Sequence, residues 1–367
     1  MKVTQVNVYA KRLAMTAGYN MSSAAVGDPE TTVVQILTDT AHVGWGGICP
    51  TGPLPQVEHA QSIQADLGLL GPALIGVDPE QIGLVHDAMT AIMDGGQGAR
   101  SAIDIACWDL LGKAHNRGIC DLLGGARMDP VSTYHVIPIG TPETSAQLAE
   151  ALQAEGHTKL QLKSGGRHVD EDIDAIHAVA RVTRPGVDLF VDCNRGWTVS
   201  ETLLVSQACR DLKLVIEQPC ATYAECATAR KHLHHPLILD ESATDLATIA
   251  RAISSGVADG FGMKLTRIGG ISGMRAIRDL CHATNTPTSC DDSWGGDIIA
   301  AACVHVGSTF HPHLSRGAWI SDPYQAKHYD DLHGPRIVNG TIAVPPGPGL
   351  GITIPDGYFG PPIASYA

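Results

Sequence analysis

Five short strings decide the fold: KLQLKSGG (159–166), LFVDCN (189–194), LVIEQP (214–219), LILDES (237–242) and GFGMKLTR (260–267). Each is a run of apolar, largely β-favouring residues that leads to a charged side chain, in turn Lys163, Asp192, Glu217, Asp240 and Lys264. These charged positions stand 23 to 29 residues apart, the length of one strand plus one crossover helix. The intervening stretches 171–183, 200–210, 223–233 and 246–254 read as amphipathic helices. Upstream the alternation begins with a strand at 131–139 and a helix at 142–155. Downstream it continues with a helix at 271–283, a strand at 288–292, a helix at 297–306 and a last strand at 318–321. Eight strands and seven helices in this order predict parallel βα units closed as a (β/α)7β-type TIM barrel, one helix short. A doubly wound open sheet would alternate in the same way. Polar residues at the C-terminal end of nearly every strand favour the barrel, whose sites are built at that face.

Outside the barrel the texture differs. Residues 1–127 read as an α+β capping domain, with strands at 3–9 and 31–37, a clear helix at 99–114, and a Gly/Pro-punctuated stretch at 19–30 that reads as a mobile loop. The barrel is assigned to 128–333. The remaining 334–367, with PPGPGLG at 345–351, is expected to leave the barrel and pack back on the capping domain.

The bulk properties narrow the function classes. The chain has 367 residues, 44% hydrophobic and 17% charged, with a mean hydropathy of +0.04, which argues against disorder over most of its length. A net charge of −13 without any Lys/Arg-rich run argues against nucleic acid and against anionic membrane surfaces. The start is an alternating strand rather than a signal peptide, and no apolar run approaches the roughly 20 residues needed to cross a bilayer. Ten cysteines without a CxxC pair fit buried thiols in a reducing cytoplasm. No G-x-G-x-x-G or P-loop pattern occurs, so no nucleotide cofactor is expected. His232, His234 and His235 read as solvated loop histidines rather than a metal site. Gly269-Gly270 and Gly295-Gly296 could each open a helix toward an anion.

A barrel would bring the five charged strand ends to one mouth. Three converging carboxylates repel one another unless a cation neutralises them. An all-oxygen set of Asp192, Glu217 and Asp240 suits Mg²⁺, with Mn²⁺ able to satisfy the same oxygens, better than zinc, which prefers nitrogen and sulfur. Lys163 and Lys264 come from strands on either side of that arc. Partly desolvated beside other cations, a lysine has a lowered pKa and can act as a base at neutral pH. One lysine on each side of a bound carboxylate substrate could take an α-proton from one face and return it to the other, through a metal-stabilised enediolate. Taken singly, such residues usually form solvated salt bridges; five at consecutive units are far more specific.

In these residues the chain resembles the enolase superfamily, in the muconate lactonizing enzyme subgroup of the mandelate racemase/muconate lactonizing enzyme family. ARSAIDIACWDLLGK (99–113) and DLLGG (121–125) are similar to the family's signature helix and its stop. The resemblance implies Asp192, Glu217 and Asp240 as metal ligands and Lys163 and Lys264 as the acid/base pair. It also implies a homo-oligomer, a dimer or an octamer. Two departures stand out. The usual KxK of the second strand is Gln161-Leu162-Lys163, so a neutral amide replaces the auxiliary lysine, and a first-domain motif that often reads WGE is Trp45-Gly46-Gly47.

Together with CDDSWGGD (290–297), GFGMKLTRIGG (260–270) and AWISDPYQAKHYD (318–330), the QLK variant is similar to the 4-hydroxyproline betaine 2-epimerase and proline betaine racemase group of that family. This implies a Mg²⁺-dependent racemase or epimerase acting on a small carboxylate with a cationic nitrogen. A quaternary ammonium cannot donate a hydrogen bond and must be held by aromatic faces and a carboxylate. Trp294, Trp319 and Tyr19 are the candidate faces, Asp292 the candidate charge and Gln161 a further substrate contact. Two alternatives stay open: a cis-3-hydroxy-L-proline dehydratase on the same scaffold, and a barrel that binds cationic osmolytes without turning them over. No histidine stands at the seventh strand end, which disfavours sugar-acid dehydration.

Overall fold

The computed structural model describes residues 1–16, 27–50, 58–292 and 294–367, and the backbone alone of 19–20 and 25–26. Its N-terminal part is built on an antiparallel sheet. Alternation in the first strand, Val3–Arg12, turns Val6 and Val8 inward, and the strands lie in the order Ala364–Tyr366, Val3–Arg12, Glu30–Thr38, Val43–Ile48. The last strand of the chain thus completes the first sheet. In the stretch that reads as a mobile loop, Tyr19–Asn20 pairs with Ala25–Val26 as a short hairpin.

Three helices, Ala60–Ala73, Ile82–Thr90 and Gln97–Ala114, follow the sheet. The third is buried on nearly all sides because it lies against the edge strand Val43–Ile48. Gly44 and Gly46 make that approach feasible: a Cβ on either would run into the helix backbone at Ala106 or Ala102. Its two aspartates fasten the cap to the rest of the chain. Asp104 accepts from Ser272 N–H at 3.0 Å, and Asp109 accepts from Trp45 N–H and Leu350 N–H at 2.9 Å each. All ten cysteines are buried and none is in a disulfide.

Six parallel strands, His135–Ile137, Lys159–Lys163, Asp188–Asp192, Val215–Glu217, Leu237–Leu239 and Gly260–Phe261, lie side by side in chain order. The segments 288–292 and 315–319 extend this sheet through bonds such as Ser289 N–H to Phe261 O (3.0 Å) and Cys290 N–H to Gly317 O (3.2 Å). Ala318 N–H to Ser132 O (3.0 Å) brings the eighth segment back to the first and closes the barrel. Seven helices cross over between strands: Pro142–Ala154, Val169–Val182, Val199–Ala208, Tyr223–Arg230, Leu246–Ser254, Ile271–Ala283 and Asp297–Ser308. Capping boxes at Thr198/Glu201 and Thr222/Glu225 open two of them.

The structure corrects three details. The strand expected at 131–139 splits: Val131–Ser132 pairs with Thr341–Ile342 and meets the eighth segment through the Ser132 carbonyl, while His135–Ile137 forms the ladder with the second strand. His235 is not solvated: it is buried against Ser206 Oγ (3.1 Å) and the Cys209 carbonyl (3.1 Å). The two Gly-Gly helix starts are closed by protein groups, Asp104 at Ser272 N–H and the Tyr329 hydroxyl at Ile298 N–H (2.5 Å). Among the described residues no helix is long and apolar enough to cross a membrane.

Candidate active site

Strand register assembles the site. Lys163 lies directly across the ladder from Asp192, and Asp192 directly across from Glu217. Asp240 follows the next strand, and Lys264 the one after. The three carboxylates therefore occupy adjacent strand ends with one lysine on each flank. All are buried, Asp192 at 1%, Glu217 and Asp240 at 4% exposure.

Each carboxylate has a protein partner. Lys163 Nζ donates to Asp192 Oδ2, and Asn194 N–H donates to Asp192 Oδ1 at 2.9 Å. Gln161 Nε2 donates to Glu217 Oε2 at 3.0 Å, so the amide that stands in place of the auxiliary lysine contacts the middle carboxylate. Arg267 Nη1 donates to Asp240 Oδ1 at 2.7 Å, and Lys264 Nζ lies 3.7 Å from Asp240 Oδ2 and 3.2 Å from Asp291 Oδ2. Gly262 completes the cradle, since a Cβ there would lie 2.6 Å from Glu217 Oε1.

The electrostatics follow from this crowding. Burial, and then the charges of Asp192 and Asp240, push the Glu217 carboxyl well above its usual range. Burial works against the Asp240 carboxylate too, but Lys264 and Arg267 outweigh it and hold its pKa down. Burial pulls Lys264 down, yet Asp240, Asp291 and Glu217 together raise it. Arg267 alone works in the opposite sense among the protein charges around Lys264. The nearest charges to Lys264 are carboxylates, and they stabilise its ammonium form.

The donor set fits a hard divalent cation. It is three buried carboxylates, all oxygen, on consecutive strands, with the middle one destabilised by its two neighbours and with glycine beside it. As the side chains stand, with Lys163, Gln161 and Arg267 taking carboxylate oxygens, no three His, Cys, Asp or Glu among the described residues converge to metal-holding distance.

On the far side of Lys264 lie the aromatic candidates. Trp294 and Trp319 pack edge to face at 5.3 Å between ring centroids, and Tyr324 lies 5.6 Å from Trp294 and 6.2 Å from Trp319. Asp292 is 1% exposed; its Oδ1 accepts from Trp294 N–H (2.9 Å) and its Oδ2 from Ser321 N–H (3.0 Å). The Trp294 N–H bond to Asp292 Oδ1 braces Trp294 at a left-handed φ of 72°. Burial raises the Asp292 carboxyl to about 7. The Tyr19 side chain lies outside the described residues. Thr16 N–H, near the hairpin that carries Tyr19, donates to Tyr324 O at 2.9 Å.

Sequence reading passed over Arg267, Gly262 and Tyr324. Arg267 stands in the quoted KLTR string, three residues after Lys264, and a one-turn 3₁₀ helix at Leu265–Ile268 folds it back onto Asp240. That helix could not be foreseen from periodicity. Tyr324 had only its place in an aromatic-containing string as a signal.

The fold and the strand-end set define a barrel of the enolase type with a capping domain. The comparisons agree. Residues 3–124 match the mandelate racemase/muconate lactonizing enzyme N-terminal domain, and residues 143–357 the enolase C-terminal domain-like family. The chain belongs to the mandelate racemase/muconate lactonizing enzyme family. It is 37% identical, over 100% of both chains, to the cis-3-hydroxy-L-proline dehydratase of Roseibium aggregatum. It is 30% identical to the N-succinyl-L-Arg/Lys racemase of Bacillus cereus, over 74% of each chain. An enolase superfamily member from Roseovarius nubinhibens solved in complex with magnesium superposes with a TM-score of 0.94 at 30% identity, over 100% of this chain and 99% of that one.

Proposed function

We propose that this chain is a Mg²⁺-dependent racemase or epimerase that removes and returns the α-proton of a small carboxylate substrate bearing a cationic nitrogen, of the proline betaine or 4-hydroxyproline betaine type. The observation that carries this reading is the flanking of the carboxylate arc by two lysines on strands two and six of the barrel. Asp192, Glu217 and Asp240 would hold the cation, which supplies Lewis-acid stabilisation of negative charge developing on the substrate carboxylate. Lys163 and Lys264 then act from opposite faces of Cα, one as base and the other as proton donor. Lys264 reaches the site from the Asp240 flank and Lys163 from the Asp192 flank. For one enantiomer one lysine is the base and the other the proton donor, and the roles exchange for the other enantiomer. The Trp294–Trp319–Tyr324 group offers aromatic faces to a cationic nitrogen, and Asp292 behind it adds negative charge at neutral to alkaline pH.

A second reading keeps the first proton transfer and ends in loss of a 3-hydroxyl. It is favoured by the full-length 37% identity to a cis-3-hydroxy-L-proline dehydratase. Either lysine could protonate the departing hydroxyl. The two readings separate on their products: incubated with Mg²⁺, a racemase or epimerase yields the enantiomer or epimer with the ring intact and a changing optical rotation, whereas a dehydratase releases a keto or imine product from the 3-hydroxy substrate.

A further inference from the structure

Gln218 follows Glu217 directly and is fully buried, with φ at 35°, a left-handed conformation that a non-glycine residue keeps only where its surroundings hold it. What holds it is a set of bonds to two neighbouring strand ends. Its Oε1 accepts the N–H of Asp240 at 3.0 Å and of Ser242 at 3.1 Å. Its Nε2 donates to Ser242 Oγ at 2.8 Å and to the Cys220 carbonyl at 3.1 Å. Its backbone N–H donates to Ile238 O, and its carbonyl accepts Arg195 N–H, both at 2.9 Å. One residue thus ties together the ends of the third, fourth and fifth barrel strands, which carry Asp192, Glu217 and Asp240 in that order.

We propose that Gln218 is a positioning residue that fixes the spacing of the three carboxylates for a divalent cation; this rests on the ligand reading given above. Like charges in a buried mouth push their strand ends apart, and the ends must be held by something that adds no charge of its own. A neutral amide does this because it carries an acceptor for the Asp240 and Ser242 N–H groups and donors for Ser242 Oγ and Cys220 O at the same time. A glutamate would add a fourth negative charge, and a lysine has no acceptor. The side chain points away from the mouth, so Gln218 acts through Asp240 and Glu217 and not by touching substrate.

The test uses the full chain and Mg²⁺ itself. Gln218→Met keeps the length and loses the bonds, while Gln218→Gly removes the side chain and relaxes the backbone. For both, with circular dichroism confirming a folded protein, isothermal titration calorimetry should show Mg²⁺ binding weakened about 10- to 100-fold. Turnover should return as Mg²⁺ is raised. Folded variants that bind Mg²⁺ as the parent does, or whose turnover excess Mg²⁺ fails to restore, would overturn the inference. Should both variants fail to fold, Ser242→Ala removes a single acceptor and carries the test: several-fold weaker binding supports the role and unchanged binding refutes it. Failure of the unsubstituted protein to bind Mg²⁺ would overturn the ligand reading, and this inference with it, and is distinguished by appearing without any substitution.

Discussion

Lys163 stands directly opposite Asp192 in the parallel ladder, and its ammonium is hydrogen-bonded to that carboxylate, with both side chains nearly inaccessible to solvent. Lys264 has the matching relationship to Asp240 and Asp291 from the other flank. In the proposed scheme, removing either lysine takes away one face's proton carrier, and it leaves a buried carboxylate less compensated. Lys163→Ala and Lys264→Ala should each lower racemisation about 10²- to 10⁴-fold. Each should still exchange the α-proton of one enantiomer with solvent, followed by deuterium uptake. Two variants that racemise at the parental rate would sink the two-lysine scheme.

Gly262 is a point where backbone and carboxylate leave no spare room. A methyl group at that position would lie 2.6 Å from Glu217 Oε1, and the carboxylate would have to rotate. Gly262→Ala should weaken Mg²⁺ binding about 10- to 100-fold while leaving the thermal midpoint little changed. Calorimetric titration and a melting curve on the same sample check both halves. A variant with parental affinity would show that Glu217 is not held where the ligand reading needs it.

The aromatic group gives a prediction on binding alone. A cation over an aromatic face contributes about 0.5–2 kcal/mol, so Trp319→Leu should raise KM for a betaine substrate about 2- to 30-fold, with a smaller change in kcat. Steady-state kinetics at saturating Mg²⁺ measure the split. An unchanged KM would place the ring in packing only.

Acid sensitivity should arise far from the mouth. His305 is inaccessible, accepts the Cys120 N–H, and hydrogen-bonds through Nε2 to the Leu350 carbonyl, joining the last barrel helix to the returning C-terminal segment. Burial lowers its pKa from the ordinary 6.5 to about 4. Below pH 6.5 the unfolded imidazole takes a proton that the folded one refuses. Its contribution is therefore complete above pH 6.5 and is lost as the pH falls toward 4, on the order of 3 kcal/mol. Melting temperature against pH should fall over this window, and His305→Gln should flatten the fall. An equal slope in the variant would assign the acid limb to other groups.

Much of this arrangement was legible in the sequence because barrel register is simple. Strand ends repeat with the βα unit, so Lys163, Asp192, Glu217, Asp240 and Lys264 could be placed at one mouth from spacing and alternation alone. The parts that could not be read depend on tertiary contacts. The strand expected at 131–139 splits because Thr341–Ile342, more than 200 residues later, captures Val131–Ser132. Arg267 reaches Asp240 only through a 3₁₀ turn, and the ammonium form of Lys264 is favoured by Asp291, whose side toward the site no local pattern marks. Gly44 and Gly46 look like flexible punctuation in the sequence, yet they are where a strand meets a helix too closely for any side chain.

Abstraction of the substrate α-proton is tested most directly by proton NMR in D₂O. L-proline betaine, 4-hydroxyproline betaine and cis-3-hydroxy-L-proline would each be incubated with the protein and Mg²⁺. The predicted result is loss of the α-proton signal of a betaine with its ring intact and its optical rotation falling. New product resonances from the 3-hydroxy compound alone would move the assignment to the dehydratase. Retention of the α-proton in all three, with Mg²⁺ shown to be bound, would contradict the account.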